Sequence, residues 1–137
     1  MPNFAPIFTL VPRSAFATLT AANIAKDGTG TTSLVMTASA TEGGNLGSIV
    51  CEPVGTNVAT ILRVFLNNGL TPATAANNSL IGQISLPATT LSETTTATMQ
   101  AVERAFNRPI PPGYRIYVCL ATAVAAGWQV TAFSGDY

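Results

Sequence analysis

The side chains that could carry out chemistry are few and widely spaced in this sequence of 137 residues. Histidine is absent, which removes the commonest general base, the commonest metal ligand and the base of a serine or cysteine triad. No two carboxylates lie at the short spacing that would suggest the acid/base pair of a glycosidase. The acidic residues are Asp27, Glu42, Glu52, Glu93, Glu103 and Asp136. The sequence therefore predicts no catalytic residue and a protein that is not an enzyme.

Metal and phosphate sites are also not indicated. Cys51 and Cys119 are the two cysteines, and without histidine they offer no strong zinc site. No loop has the density of acidic and amide side chains that calcium requires, and residues 26–30 lack the Gly-Lys-Ser/Thr ending of a phosphate-binding loop. We therefore expect no metal and no cofactor, and two buried free thiols that pack as small apolar residues.

Charge is scarce in this chain. Charged residues make up 9% of the sequence, and six basic residues balance six acidic ones, whereas a typical domain is about one quarter charged. A neutral surface favours association with other proteins, whereas nucleic acid requires a basic patch, and the densest basic group is only Arg104, Arg108 and Arg115. No apolar run approaches the roughly 18 residues of a membrane span, and the first residues do not resemble a secretory signal. We expect protein partners, no nucleic acid and no membrane.

The most strand-like stretch, residues 58–67, predicts how the rest of the chain is organised. Leu62 and Val64 fall on one face of an extended strand, and Arg63 and Phe65 fall on the other. Both faces are largely apolar, so we expect this strand to be covered on both sides. The Asn-Gly pair that follows it is a turn signal.

The remaining apolar runs are short and are separated by Gly, Pro, Asn and Thr. This pattern predicts eight or nine strands in a sandwich, a jelly roll or a small barrel. Long connections at 20–32, 67–79 and 87–97 favour the jelly roll over a tight meander. The predicted fold class is all-β, an antiparallel jelly-roll sandwich of about eight strands, in a single domain that spans residues 13–137.

Three segments are harder to interpret. Residues 98–106 fit either a strand or a helix, and we expect a strand. The prolines that follow, within 107–113, predict a rigid turn, and 113–133 is predicted to be an antiparallel hairpin. The aromatic residues of this hairpin would pack in the core or at an interface, or else form a platform for a sugar. They are Tyr114, Tyr117 and Trp128.

The first twelve residues are apolar but interrupted by prolines, which disfavour a central strand. Residues 1–12 therefore form either an edge strand on their own domain or an extended arm that docks on a partner. In the second case the partner-binding residues are Phe4, Ile7, Phe8 and Leu10.

Several motifs between residues 58 and 137 resemble small structural proteins of tailed bacteriophages, and more specifically capsid cement (decoration) proteins with a jelly-roll fold. They are Asn67-Asn-Gly69, Thr74-Ala-Ala-Asn-Asn-Ser-Leu-Ile-Gly82, Ile84-Ser-Leu-Pro-Ala-Thr-Thr-Leu-Ser92, Pro112-Gly-Tyr-Arg-Ile116, Thr122-Ala-Val-Ala-Ala-Gly-Trp-Gln-Val-Thr131 and Gly135-Asp-Tyr137.

The resemblance implies a structural virion protein that binds the outside of a tailed-phage capsid and cements neighbouring subunits of the major capsid protein. It also implies a homodimer or homotrimer, synthesis in the cytoplasm of the bacterial host and a final place on the capsid exterior. It brings no catalytic residues. The alternative is a receptor- or carbohydrate-binding jelly-roll module of a phage tail fibre or spike.

Overall fold

A computed structural model of the chain describes residues 9–137, and their backbone forms eight β-strands and one short 3-10 helix. The strands are antiparallel to their neighbours. They are β1 (Val11–Leu19), β2 (Ser33–Thr37), β3 (Gly44–Pro53), β4 (Thr60–Asn67), β5 (Asn78–Leu86), β6 (Val102–Ile110), β7 (Arg115–Leu120) and β8 (Trp128–Asp136), and the 3-10 helix is Ala75–Asn77. The all-β prediction is confirmed.

The strands form two four-stranded sheets. The first has the order β1-β8-β3-β6 and the second the order β2-β7-β4-β5. Except for the β4–β5 hairpin, every connection passes from one sheet to the other. Eight strands in this order form a jelly roll, so the predicted fold class is confirmed.

The hydrophobic core lies between the two sheets and follows from alternation along the strands. In β4, Leu62 and Val64 point into the core and are fully buried. In β8, Trp128, Val130 and Ala132 do the same from the first sheet. Because successive side chains of a strand point to opposite faces, the residues between them point to the outside of the sandwich.

Strand β6 extends through residues that the sequence predicted to be a turn. Residues 98–101 lie outside any strand, but β6 runs from Val102 to Ile110 and includes Pro109. The predicted turn at 107–113 was therefore wrong in its first part. The physical reason is that β6 pairs with β3 alone, and a proline is tolerated on an edge strand. The ladder also bulges here, with Gly47 opposite two residues of β6, of which Asn107 has a φ of 48°.

The predicted hairpin over 113–133 was wrong as well. Strand β7 lies between β2 and β4 in the second sheet, whereas β8 lies between β1 and β3 in the first. The linker 121–127 is long enough to cross from one sheet to the other, so the two strands pack face to face across the core instead of pairing edge to edge.

The prediction of an edge strand or a docking arm concerns residues 1–12, of which the structure describes residues 9–12. Phe4, Ile7 and Phe8 lie outside them, and Leu10 is largely exposed. The backbone N–H of Leu10 donates to the carbonyl of Asp136 at 2.9 Å. Strand β1 begins at Val11 and pairs with β8 at one edge of the first sheet, so residues 11 and 12 belong to an edge strand.

Both cysteines are buried and free, as predicted. Cys51 lies in β3 and Cys119 in β7, which belong to different sheets. Burial raises the pKa of the Cys51 thiol to about 12. It also raises the pKa of Cys119, which the nearby charge of Arg63 partly offsets. Both thiols are therefore protonated and unreactive at neutral pH.

We expect a reductant to leave the melting temperature unchanged, because no disulfide joins these two residues. Differential scanning calorimetry with and without a phosphine reductant tests this. A thiol reagent should modify Cys51 and Cys119 in the unfolded chain but react slowly with the native protein. A clear drop in melting temperature on reduction would contradict the structure.

Candidate interaction surfaces

Asp136 is the one buried acidic residue among residues 9–137. Within residues 9–137, no three side chains of His, Cys, Asp or Glu converge as metal ligands. The carboxylate of Asp136 is buried, forms an ion pair with Arg13 and accepts the backbone N–H of Ser39 at 3.0 Å. These two contacts join β1 and β8 to the turn after β2 and so stabilise the fold. In the same part of the chain, no helix has the length and apolar character needed to cross a membrane.

The outer faces of the two sheets differ. The loop 20–32 covers the centre of the outer face of the second sheet, whereas Leu34 and Leu80 on its edge strands remain exposed. In β4, Arg63 and Phe65 point to this side, yet both are buried. The Arg63 guanidinium donates to the carbonyl of Asn23 at 3.4 Å. Coverage of β4 on both sides, predicted from its two apolar faces, is therefore confirmed.

Asn23 and Asn78 hold this loop in place. The side-chain amide of Asn23 donates to the carbonyls of Thr29 and Thr31 at 2.8 and 2.9 Å. The amide of Asn78, at the start of β5, donates to the carbonyl of Asp27 at 3.2 Å. Gly28 passes so close to Asn78 that a Cβ there would lie 2.8 Å from its side chain, and its φ of 82° also favours glycine. These hydrogen bonds fix the loop against the domain.

The outer face of the first sheet carries no such cover from the described residues. Phe16 in β1 and Phe133 in β8 have exposed fractions of 76% and 50%. Phe16 is paired with Thr131, two residues from Phe133, so the two rings are diagonal neighbours on one face. We call this surface the phenylalanine face. It consists of Ser14, Phe16, Ser48, Val50, Ala105, Thr131 and Phe133.

The phenylalanine face is broad, because the register aligns its residues in rows across all four strands. Carboxylates lie beside it on the same outer face, at Glu52, which pairs with Gln129, and at Glu103. One row joins Phe16, Thr131, Val50 and Glu103, and the carboxylate of Glu103 lies at its far end on β6. Two exposed aromatic rings on a sheet of small polar side chains are typical of a surface that another protein covers. The sequence did not single out either phenylalanine. Phe16 lies three positions before Leu19, and Phe133 directly follows Ala132. Because Leu19 and Ala132 face the core and side chains alternate along a strand, this spacing could have indicated that both phenylalanines face outward.

A second surface lies at the end of the sandwich where three loops meet around Asn57, which is buried. Its side-chain NH2 group donates to the carbonyls of Gly55 and Gly127 at 3.2 and 3.0 Å and to the hydroxyl of Thr89 at 3.3 Å. Its carbonyl oxygen accepts the backbone N–H groups of Ala126 and Gly127. One amide thereby fixes the β3–β4, β5–β6 and β7–β8 connections together. The first two of these connections expose Val54, Val58 and Leu91.

The aromatic residues that suggested a sugar platform pack into the protein instead. Trp128 is fully buried in the core, Tyr117 is buried on the covered side of the second sheet, and Tyr114 is half-buried against the core. A platform for a sugar requires rings that solvent reaches, so these three residues do not provide one. Core packing, the other interpretation from the sequence, accounts for Trp128 and Tyr114.

No protein-family model, no curated protein and no solved structure matches this chain.

Proposed function

We propose that this chain is a structural virion protein that binds the outside of a tailed-phage capsid and cements neighbouring subunits of the major capsid protein. The observation that carries the proposal is the phenylalanine face: a broad sheet surface with Phe16 and Phe133 exposed. The resemblance of residues 58–137 to capsid cement proteins agrees with it.

Repetition of a weak contact over the shell supplies the stabilisation. Burying apolar surface contributes roughly 25 cal/mol per Å², so one domain held by a single sheet face binds modestly. Many copies on a regular shell, each linking two subunits, stabilise it collectively, because every further contact on the same shell is effectively intramolecular. Low charge, with six basic and six acidic residues, allows close packing against a protein surface and against a second copy. The proposed assembly is a homodimer or homotrimer on the capsid exterior.

The test is co-sedimentation of the purified chain with heads that lack it. The wild-type chain should pellet with the heads, and Phe16→Ser and Phe133→Ser should each reduce the bound fraction severalfold. Leu70→Ser is the matched control, since Leu70 is an exposed apolar residue on the β4–β5 connection, away from the phenylalanine face. Light scattering on the same samples gives the oligomeric state.

A wild-type chain that fails to pellet would overturn the proposal. In that event a glycan array tests the alternative of a receptor- or carbohydrate-binding module of a tail fibre or spike. Equal loss in Phe16→Ser and Leu70→Ser would show that the phenylalanine face is not the contact.

A further inference from the structure

A cleft opens along one side of the sandwich, between the edge strands β5 and β6. Its volume is about 380 Å³. Its lining residues include the apolar Leu66, Ile81 and Phe106 and the basic Arg104 and Arg108. On the opposite side of the sandwich the edge strands β1 and β2 approach each other, and residues of both strands line a second opening of about 430 Å³.

The wall of the cleft is held in place by contacts around Gly82. The Arg104 guanidinium lies 5.0 Å from the centroid of the Phe106 ring and donates to the carbonyl of Gln83 at 3.2 Å. A Cβ on Gly82 would lie 2.9 Å from Arg104 and 3.0 Å from Phe106. The bare backbone of Gly82 therefore allows the arginine and the phenylalanine to stack against β5.

The charge of the cleft is not neutralised by neighbouring carboxylates. Across residues 9–137 the one ion pair is that of Arg13 with Asp136, so Arg104 and Arg108 have no acidic partner there. Glu103 belongs to the opposite face of β6, since it pairs with Val50 on the phenylalanine face. Two arginines beside an apolar floor are complementary to a ligand that places carboxylates next to aliphatic side chains.

The adjacent edge of β5 is suited to pair with a further strand. Its nine residues, Asn78–Leu86, contain no charged residue and no proline, the two devices that usually protect an edge. The carbonyl of Gln83 points away from β4, because Arg104 reaches it from β6. The Gln83 carbonyl already accepts the Arg104 guanidinium, so an extended peptide laid along this edge would pair with the other outward backbone groups of β5 and place alternate side chains in the cleft.

From these observations we infer that the cleft binds an extended acidic segment of a partner protein. Its backbone pairs with β5, its carboxylates contact Arg104 and Arg108, and an aliphatic side chain between them enters the apolar part of the cleft. On the capsid, this segment belongs to the major capsid protein. That last assignment rests on the proposed function, whereas the binding chemistry does not.

The test uses the full chain and a synthetic probe, an acetylated peptide of alternating Glu and Val, with fluorescence anisotropy as the readout. Arg104→Gln and Arg108→Gln should each weaken binding roughly tenfold or more, as expected for loss of a charge-assisted contact. Lys26→Gln is the control, because it removes the same charge from an exposed loop residue and should leave affinity unchanged. Binding should also slow amide exchange in β5, which a purely ionic contact would not do.

The inference is overturned if the peptide does not bind, if a Lys-Val peptide binds as well, or if Lys26→Gln weakens binding as much as the arginine variants. A short single-stranded oligonucleotide that competes with the peptide and binds with the same affinity would assign the cleft to nucleic acid. That result would also overturn the inference. The peptide assay needs no heads, so its failure is distinct from a failure of the wild-type chain to pellet with them.

Discussion

Replacing Val64 by aspartate is expected to abolish folding. Val64 is fully buried in β4, where it pairs with Val118 on one side and Gly82 on the other. The substitution loses the roughly 1.5–3 kcal/mol of burying an aliphatic side chain and places a charge in a site with no partner, which costs several kcal/mol more. A domain stabilised by about 5–15 kcal/mol in total does not absorb that loss.

Circular dichroism and the emission of Trp128, the one tryptophan of the chain, report the result. Trp128 is fully buried, so its emission shifts to longer wavelength when the core opens. The control is Val58→Asp, the same substitution at an exposed residue just before β4, which should stay folded. A folded Val64→Asp protein with a buried Trp128 would mean that water reaches this part of β4.

The second large effect is expected for Asn57→Asp, which changes one nitrogen to oxygen without changing the shape of the side chain. The new carboxylate cannot donate to the carbonyls of Gly55 and Gly127 and instead faces them with a negative charge. Each lost buried hydrogen bond costs about 1–3 kcal/mol, so the free energy of unfolding should fall by about 3 kcal/mol or more at neutral pH.

The destabilisation should depend on pH in a defined direction. Burial beside carbonyl oxygens raises the pKa of the introduced carboxyl above its unfolded value of about 4. The folded state therefore binds the proton more tightly, and the deficit in stability is smallest below pH 4 and grows as pH rises through the folded pKa. Chemical denaturation at pH 4 and pH 7 measures it. Asn68→Asp, on an exposed turn, is the control, and an equal loss in both variants would contradict the role of Asn57.

Local patterns in the sequence predicted most strands but not their partners. Strand β4 agrees with its prediction to within two residues at one end, because alternation and turn residues are properties of the segment itself. The position of β8 between β1 and β3 is not such a property. It depends on which apolar faces can meet across the core, and this is why the hairpin over 113–133 was predicted wrongly.

The candidate surfaces were harder still to predict. The phenylalanine face combines Phe16 with Phe133, and the cleft combines Ile81 with Arg104 and Arg108. Each pair is far apart in the sequence and close only in the folded sheets. The sequence marked Arg104 and Arg108 as a small basic group, but only the fold places apolar side chains between the edges of β5 and β6 and thus gives those charges a cleft.

The order of strands in the first sheet has a consequence for synthesis on the ribosome. Strand β8 is the last of the eight along the chain, yet it is an interior strand and the one hydrogen-bonding neighbour of β1 within the sheet. While β8 remains in the exit tunnel, β1 has no partner strand and β3 has only β6. The sheet that bears the phenylalanine face is therefore completed only after residues 128–136 emerge. Since the pairing of β1 with β8 joins segments more than one hundred residues apart, the assembly of this sheet should be slow compared with that of the β4–β5 hairpin.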